Sequence, residues 1–328
     1  MRQIDIDYWN VPTATFFMND STGPSVDLGS RLISSHRTDD HCKIGECTRL
    51  HGVRPARREY VRHALLVSGA LATTLWVVIG CAGLAVGSFL NVVIYRVPRH
   101  ESLLRPGSHC PDCGHELSAR DNVPVVSWLM LRRRCRYCRE PIAARYPSVE
   151  LGTMALFLVA TARLGLSAPL PAYLIWLSGL LALALIDAEH LVLPRSIVYV
   201  TFALTEVLLL GASAAAHDWR RLGVAALCGV IWSGVFFVIN FLSPRYLGFG
   251  DVRLALLLGV GLGWLGVGHV IVGFFLANLL GALIGLSLIA AGKLRRDQPI
   301  PYGIFLATGS ALALFLGPAL EGWVHLPS

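Results

Sequence analysis

The chain has 328 residues, of which 54% are hydrophobic and only 15% charged, and its mean hydropathy is +0.58. An ordinary soluble domain carries ~25% charged residues, so this composition excludes a soluble cytoplasmic protein and points to a chain whose solvent is partly lipid. The net charge of +7 would suit nucleic acid if it formed one patch, but membrane proteins also gather Arg and Lys in cytoplasmic loops, so its distribution decides.

Residues 1–63 hold nine Lys/Arg and eight Asp/Glu without a sustained apolar period, and read as a polar, disordered extension. They do not form a signal peptide, because the first apolar stretch, Val11 to Met18, is short and follows Asp5 and Asp7 rather than basic residues. Residues 64–95 are almost free of charge and are the first expected transmembrane segment. Their length exceeds what a ~30 Å hydrocarbon core needs at ~1.5 Å per residue, so this helix must tilt, break or extend beyond it. Residues 96–147 change character: ten Arg, five acidic residues, four Cys and six of the chain's 17 Pro mark a water-facing insert. From 148 to 328, apolar runs recur at roughly 149–166, 170–186, 191–213, 221–243, 252–267, 269–291 and 301–320. The expected fold is an all-α polytopic membrane protein of about eight transmembrane helices with a small cytoplasmic insert. The run at 252–267 is short and Gly-rich, which makes seven spans the rival count.

If the insert faces the cytoplasm, that side also holds the breaks at 187–195, 243–253 and 293–300, with 16 Lys/Arg in total. The other side holds seven, of which Arg54, Arg57, Arg58 and Arg62 flank the first span and count against the assignment. The positive charge is therefore a topological signal and calls for no nucleic acid.

Four of the eight cysteines form Cys110-x-x-Cys113 and, after 21 intervening residues, Cys135-x-x-Cys138. Each pair places two thiolates on one turn, and two such turns make the closed tetrahedral cage of a structural zinc site. Two disulfides are the alternative, disfavoured in a reducing cytoplasm. An insert of ~50 residues has a small core, which a metal would reinforce. Cys81 and Cys228 lie singly inside spans and read as small buried hydrophobes. Cys42 and Cys47, near His41 and His51, are a weaker metal candidate.

Residues 148–328 contain only eight acidic side chains, and an ionisable group in or beside a span is a functional candidate. Asp187 ends one apolar run, while Asp251 follows Gly248-Phe-Gly250 and opens another. Two spans lie between them, so parity returns both to the face that carries the insert. Two carboxylates held together cannot both ionise; sharing a proton, one can polarise a peptide carbonyl while the other activates water. Glycines at 248 and 250 would let the backbone approach closely. The bland reading is that each Asp caps a helix. Glu150, Glu206 and Glu321 read as partnered or interfacial carboxylates, and Glu189 as a neighbour able to orient the pair.

At this point the chain resembles the type IV prepilin peptidases, bacterial membrane aspartic proteases of the GxGD class, from about Gly87 to Gly309. The resemblance rests on Gly-Ser-Phe-Leu-Asn-Val-Val-Ile-Tyr-Arg at 87–96, the four cysteines, Asp-Asn-Val-Pro-Val-Val-Ser-Trp-Leu at 121–129 and Arg-Tyr-Pro-Ser-Val-Glu at 145–150. It continues in Asp187 with Leu193-Pro194, Gly-Phe-Gly-Asp251 and Pro-Ile-Pro-Tyr-Gly at 299–303. It implies a multi-pass protein of the bacterial inner membrane that cuts the basic leader from type IV prepilins or type II secretion pseudopilins at the cytoplasmic face. In that comparison Asp187 and Asp251 take the catalytic positions and Cys110, Cys113, Cys135 and Cys138 the zinc positions. Members with the four-cysteine insert also resemble methyltransferases that use S-adenosylmethionine on the new N-terminus, although no Gly-rich dinucleotide-type fingerprint marks a donor site here. Two features depart from the pattern: the long N-terminal extension, and Tyr302-Gly-Ile-Phe in place of Phe-Gly-Pro. The competing class is a non-enzymatic transporter or assembly scaffold, in which the insert docks a partner and the aspartates bind a cation.

Overall fold

The computed structural model describes residues 55–105, 107–110, 112–244, 247–293 and 300–324, with side chains described from Ala72 to Gly317. Most of the extension, including Cys42, Cys47, His41 and His51, lies outside the described residues, as does the Glu321 side chain. The chain divides into two units, residues 1–61 and 62–328, and the architecture that follows belongs to the second.

All regular elements among the described residues are helical. They are α1 (Pro55–Arg96), α2 (Val126–Met130), α3 (Arg145–Leu164), α4 (Leu170–His190), α5 (Arg195–Ala216), α6 (Trp219–Leu242), α7 (Phe249–Gly263), α8 (Val267–Ala290) and α9 (Tyr302–Val324). Every expected apolar run is a helix, and local chemistry sets the ends. Pro194, extended at φ −62° and ψ 121°, delays α5 to Arg195, because a proline removes a donor and disfavours helix in the residue before it. The Asp218 carboxylate accepts the Arg221 N–H at 3.3 Å and caps α6.

Five helical stretches are long and apolar enough to cross a membrane: Ala72–Arg99, α4, α5, α6 and α8; α9 is apolar over Tyr302–Gly317. Of the eight helices expected to span, five meet that criterion, and α3, α7 and α9 fall outside the long set among the described residues. The 15 residues of α7 reach only about 22 Å at ~1.5 Å per residue, and α3 carries Arg145, Glu150 and Arg163. A short helix can still be apolar all round if protein rather than lipid surrounds it. Residues Leu257 to Gly263 of α7 are buried without interruption.

The core forms where α4 meets α7. Trp176 and Tyr173 of α4 are fully buried, and each spends its polar tip on α7: the indole N–H donates to the Leu257 carbonyl at 3.2 Å and the phenol to the Gly261 carbonyl at 2.7 Å. The helices close on each other through residues without bulk, since packing inside a bilayer depends on close backbone approach. A side chain on Gly259 would run into Gly229 and Cys228 of α6, and one on Gly309 of α9 into Ala277 of α8. Cys228 is buried as expected, whereas Cys81 is exposed on α1: its helix turns that face away from its neighbours.

The insert is anchored on the ends of three helices. Leu90 and Ile94 of α1, Val149 of α3, and Ala182 and Ile186 of α4 form one buried cluster. Above it the Asn91 amide donates to the Tyr146 carbonyl at 3.1 Å, and Arg145 meets Glu189 at 2.8 Å, clasping the start of α3 to the end of α4.

Candidate active site and metal centre

Asp187 sits in the last turn of α4, where the helix dipole disfavours an anion, so helix capping does not account for it. Its side chain is buried, and its Oδ2 accepts the Ile304 N–H at 3.1 Å. Gly303 also turns its N–H to this carboxylate. Both donors belong to the first turn of α9, whose N-terminal groups have no partners within their own helix and carry partial positive charge. Asp251, half-buried, occupies the first turn of α7, where its Oδ2 accepts the Gly248 N–H at 3.1 Å. Capping thus describes part of what Asp251 does. The two aspartates come within Coulombic reach of each other, with Tyr302 also facing Asp251. The ends of α4, α7 and α9 therefore converge around these two acids.

Glycine is needed where these elements touch. A methyl on Gly303 would stand 2.9 Å from Asp187 Oδ2 and 3.0 Å from Leu193, and one on Gly250 would stand 3.1 Å from Leu193. Leu193, in the link between α4 and α5, thus fills the space between the two glycine-bearing turns. The role of Gly303 was not legible as such; its only signal was the Pro-Tyr-Gly break opening the last apolar run. Gly303→Ala is expected to displace the Asp187 carboxylate and to slow the site's reaction by about 10²-fold at equal folded protein, since ~1 Å of misplacement costs that much. Turnover within a factor of two of wild type would contradict this placement.

Glu189 does not reach the pair; it is engaged with Arg145, and the expectation that it orients the aspartates gives way to a clasp between helices. Glu150 is partnered as expected, accepting the Val125 N–H at 2.7 Å. Glu206 buries its Oε1 without a hydrogen-bond partner.

In the insert, Cys110, Cys113, Cys135 and Cys138 bring their sulfurs within 4.8 Å of one another, and none is in a disulfide. Two similar knuckles build this cluster. The Cys110 carbonyl accepts the Gly114 N–H at 2.9 Å and the Cys135 carbonyl accepts the Arg139 N–H at 3.1 Å, with both fourth-following residues left-handed at φ 68° and 63°. Glycine takes that conformation freely, whereas arginine is strained there. The knuckles aim backbone N–H groups at sulfur: those of Cys138 and Tyr137 draw the Cys135 thiol down to about 7, while burial raises that of Cys110. Four thiols this close need a cation to ionise together. Zinc fits, because ~2.3 Å bonds at the tetrahedral angle place sulfurs ~3.8 Å apart. Cys110 Sγ and Cys138 Sγ stand 3.8 Å apart. The four ligands would close the coordination sphere, leaving no open position for catalysis.

Beside the cage, buried Asp121 accepts two hydrogen bonds from Arg136, at 2.6 and 2.8 Å, and one from Ser118 at 2.7 Å. Arg136 chiefly holds this carboxyl below its usual range, against the opposing effect of burial. A depressed folded value stabilises the insert above the unfolded carboxylate pKa of ~3.9, and that stability is lost as pH falls through the folded value. Replacing Arg136 by Met is expected to make residues 97–144 exchange amide hydrogens faster at neutral pH. The difference from wild type should shrink below about pH 4. A difference that persists unchanged into acid would refute the linkage.

The fold and these two sites define a class: a polytopic helical membrane protein with two aspartates brought together at helix ends and a four-cysteine insert. Residues 81–164 match the Bacterial Peptidase A24 N-terminal domain, and residues 174–286 match the Type IV leader peptidase family, a stretch containing both aspartates. The chain is 35% identical over 272 residues to a prepilin leader peptidase/N-methyltransferase of Burkholderia pseudomallei, covering 72% of this chain and 83% of that one. It is 34% identical to the protein of that name from Aeromonas hydrophila, covering 73% and 90% of the two chains. Its identity to that of Pseudomonas aeruginosa is 32%, over 77% and 93%. No solved structure matches the chain. The chain belongs to the type IV leader peptidase family.

Proposed function

We propose that the chain is a membrane aspartic endopeptidase that removes the basic leader of type IV prepilins or pseudopilins at the cytoplasmic face of the inner membrane, with Asp187 and Asp251 as its catalytic pair. The observation that carries this reading is the convergence of the two carboxylates from α4 and α7 on the first turn of α9. One carboxyl, protonated, donates to the scissile carbonyl oxygen; the other takes a proton from water as its oxygen attacks the carbonyl carbon. Collapse of the tetrahedral intermediate returns a proton to the leaving amine. Titration belongs to the pair rather than to either residue. A basic leader is kept on the cytoplasmic side by the same charge rule that places the insert there.

In this reading the four cysteines hold a structural zinc, supported by the closeness of their sulfurs, and the freed amine is methylated with S-adenosylmethionine as donor, supported by the word N-methyltransferase in the relatives' names. A transporter or scaffold would have no use for leader cleavage, and family membership favours the peptidase. The test is incubation of the purified, detergent-solubilised enzyme with a pilin-type precursor and measurement of product mass. Loss of the leader, with the added mass of one methyl group, is expected. An intact precursor after exposure to folded enzyme, across several precursors, would overturn the reading.

A further inference from the structure

An acid–base pair needs one ionised carboxylate and one protonated, and the surroundings of the two aspartates are unequal. Asp187, 5% exposed, takes N–H groups from another helix: Ile304 donates to its Oδ2 at 3.1 Å, and Gly303 turns toward the same carboxylate. Asp251 takes one, from Gly248 at 3.1 Å, within its own turn. Hydrogen bonds from N–H groups stabilise a carboxylate as the anion. Resting on the peptidase reading above, we infer that the backbone N–H groups of Gly303 and Ile304 are positioning donors that keep Asp187 ionised as the base and leave Asp251 to carry the shared proton as the acid.

The second donor depends on a residue in which this chain departs from the related pattern. Phe-Gly-Pro would place proline at 304, and proline has no N–H to give; Tyr302-Gly-Ile supplies one. Ile304 is the third residue of α9, where an N–H has no carbonyl to bond within its own helix and can serve another group.

The same turn treats Asp251 in the opposite way. Tyr302 faces Asp251. Its hydroxyl proton is already given to Asn278 Oδ1 at 3.1 Å, and Asn278 is held in that orientation because its amide N–H donates to the Phe274 carbonyl at 2.8 Å. Toward Asp251 the tyrosine oxygen therefore offers lone pairs, which suit a protonated carboxyl. The helix ends pull the other way: Asp251 has the favourable first turn of α7, whereas at Asp187 the last turn of α4 opposes the first turn of α9. One charge-assisted hydrogen bond outweighs the field of a helix end, so the donors decide.

Other charges on the packed helices do not reverse this order. Arg145 and His190 lie with Glu189, Arg253 lies over the Phe249 ring at 4.6 Å and the Tyr199 ring at 6.0 Å, and Arg195 is exposed at the start of α5. Arg96 of α1 is spent on the Ser102 and Gly107 carbonyls. Arg220 and Arg221 of α6 and His269 of α8 stand at the opposite ends of their helices.

The roles then follow atom by atom. The oxygen of water bonds to the scissile carbon while its proton passes to Asp187, and the carbonyl oxygen takes the proton of Asp251. As the C–N bond breaks, its electrons stay on nitrogen, which takes the proton from Asp187, and one hydroxyl proton of the intermediate returns to Asp251. Both carboxyls end as they began.

The experiment measures kcat/KM for precursor cleavage against pH with the full-length, zinc-loaded enzyme in detergent. Wild type stands beside two backbone esters, made by incorporating an α-hydroxy acid at position 304 or 248, each of which replaces one N–H by oxygen without changing the shape of the chain. The group that ionises first sets the acid limb and the group that ionises second sets the alkaline limb. The ester at 304 is expected to move the acid limb up by about one pH unit, the scale of one hydrogen bond to a charged group, with the alkaline limb in place. The ester at 248, which removes the donor of Asp251, should move the alkaline limb up and leave the acid limb. Exchanged limbs, or two profiles that match wild type, would overturn this division of roles while leaving the peptidase reading intact. If one ester enzyme does not fold, the limb moved by the other decides. A wild-type enzyme that cleaves no precursor at any pH would overturn the peptidase reading and this inference with it.

Discussion

Asp187→Asn and Asp251→Asn are each expected to lower leader cleavage by roughly 10³-fold or more, with the protein still folded in the membrane. The loss should be as great in either single variant as in the double. Acid and base act as one unit, so removing one leaves the other without a partner in the proton exchange. The substitution is nearly isosteric, and the amide oxygen can still accept the Ile304 N–H that Asp187 accepts now, or the Gly248 N–H that Asp251 accepts. A structural role for the carboxylates would instead appear as loss of folded protein. The measurement is the initial rate of product formation at matched amounts of folded enzyme, judged by melting behaviour in detergent. Cleavage within tenfold of wild type by either variant would remove that residue from the catalytic pair.

Removing the metal should have the largest effect on stability. Structural zinc contributes on the order of 10 kcal/mol to small domains, and the insert has little else to hold it. Each knuckle is closed on itself by one isolated bridge, His109 with Glu116 and Arg134 with Pro141, and the Asp121–Arg136 pair ties the second to the segment between them. Cys135→Ser, or a strong chelator, should release one zinc per chain and make residues 97–144 sensitive to protease, while the helical signal of the membrane core persists. A core that unfolds together with the insert would show that the two are one cooperative unit. An insert that keeps its protection without metal would refute the zinc assignment.

Several features followed from local chemistry and were readable in the chain. Lipid is the solvent of the apolar runs, so each had to satisfy its own backbone as a helix, and each does. The cysteine spacing reports a metal cage because two residues between ligands make one turn. The side on which Asp187 and Asp251 fall needed only a count of the helices between them. What these patterns lack is the third dimension. Hydropathy does not distinguish a helix wrapped by protein from one wrapped by lipid, so the short α7 looked like an incomplete span. It is instead the partner of Trp176 and Tyr173 at the centre of the bundle. Nor does a sequence say which turn faces which: only the packing of α9 against α4 brings the Gly303 and Ile304 N–H groups to Asp187, and only the clasp with Arg145 takes Glu189 away from it. The sequence by itself marked the apolar helices, the cysteine cluster and the two acids, because each is written in nearest neighbours or in simple periodicity. The tertiary structure alone decided how close the acids stand and what donates to Asp187, because the Ile304 N–H reaches it from 117 positions away, past glycine-sized gaps that no local pattern encodes.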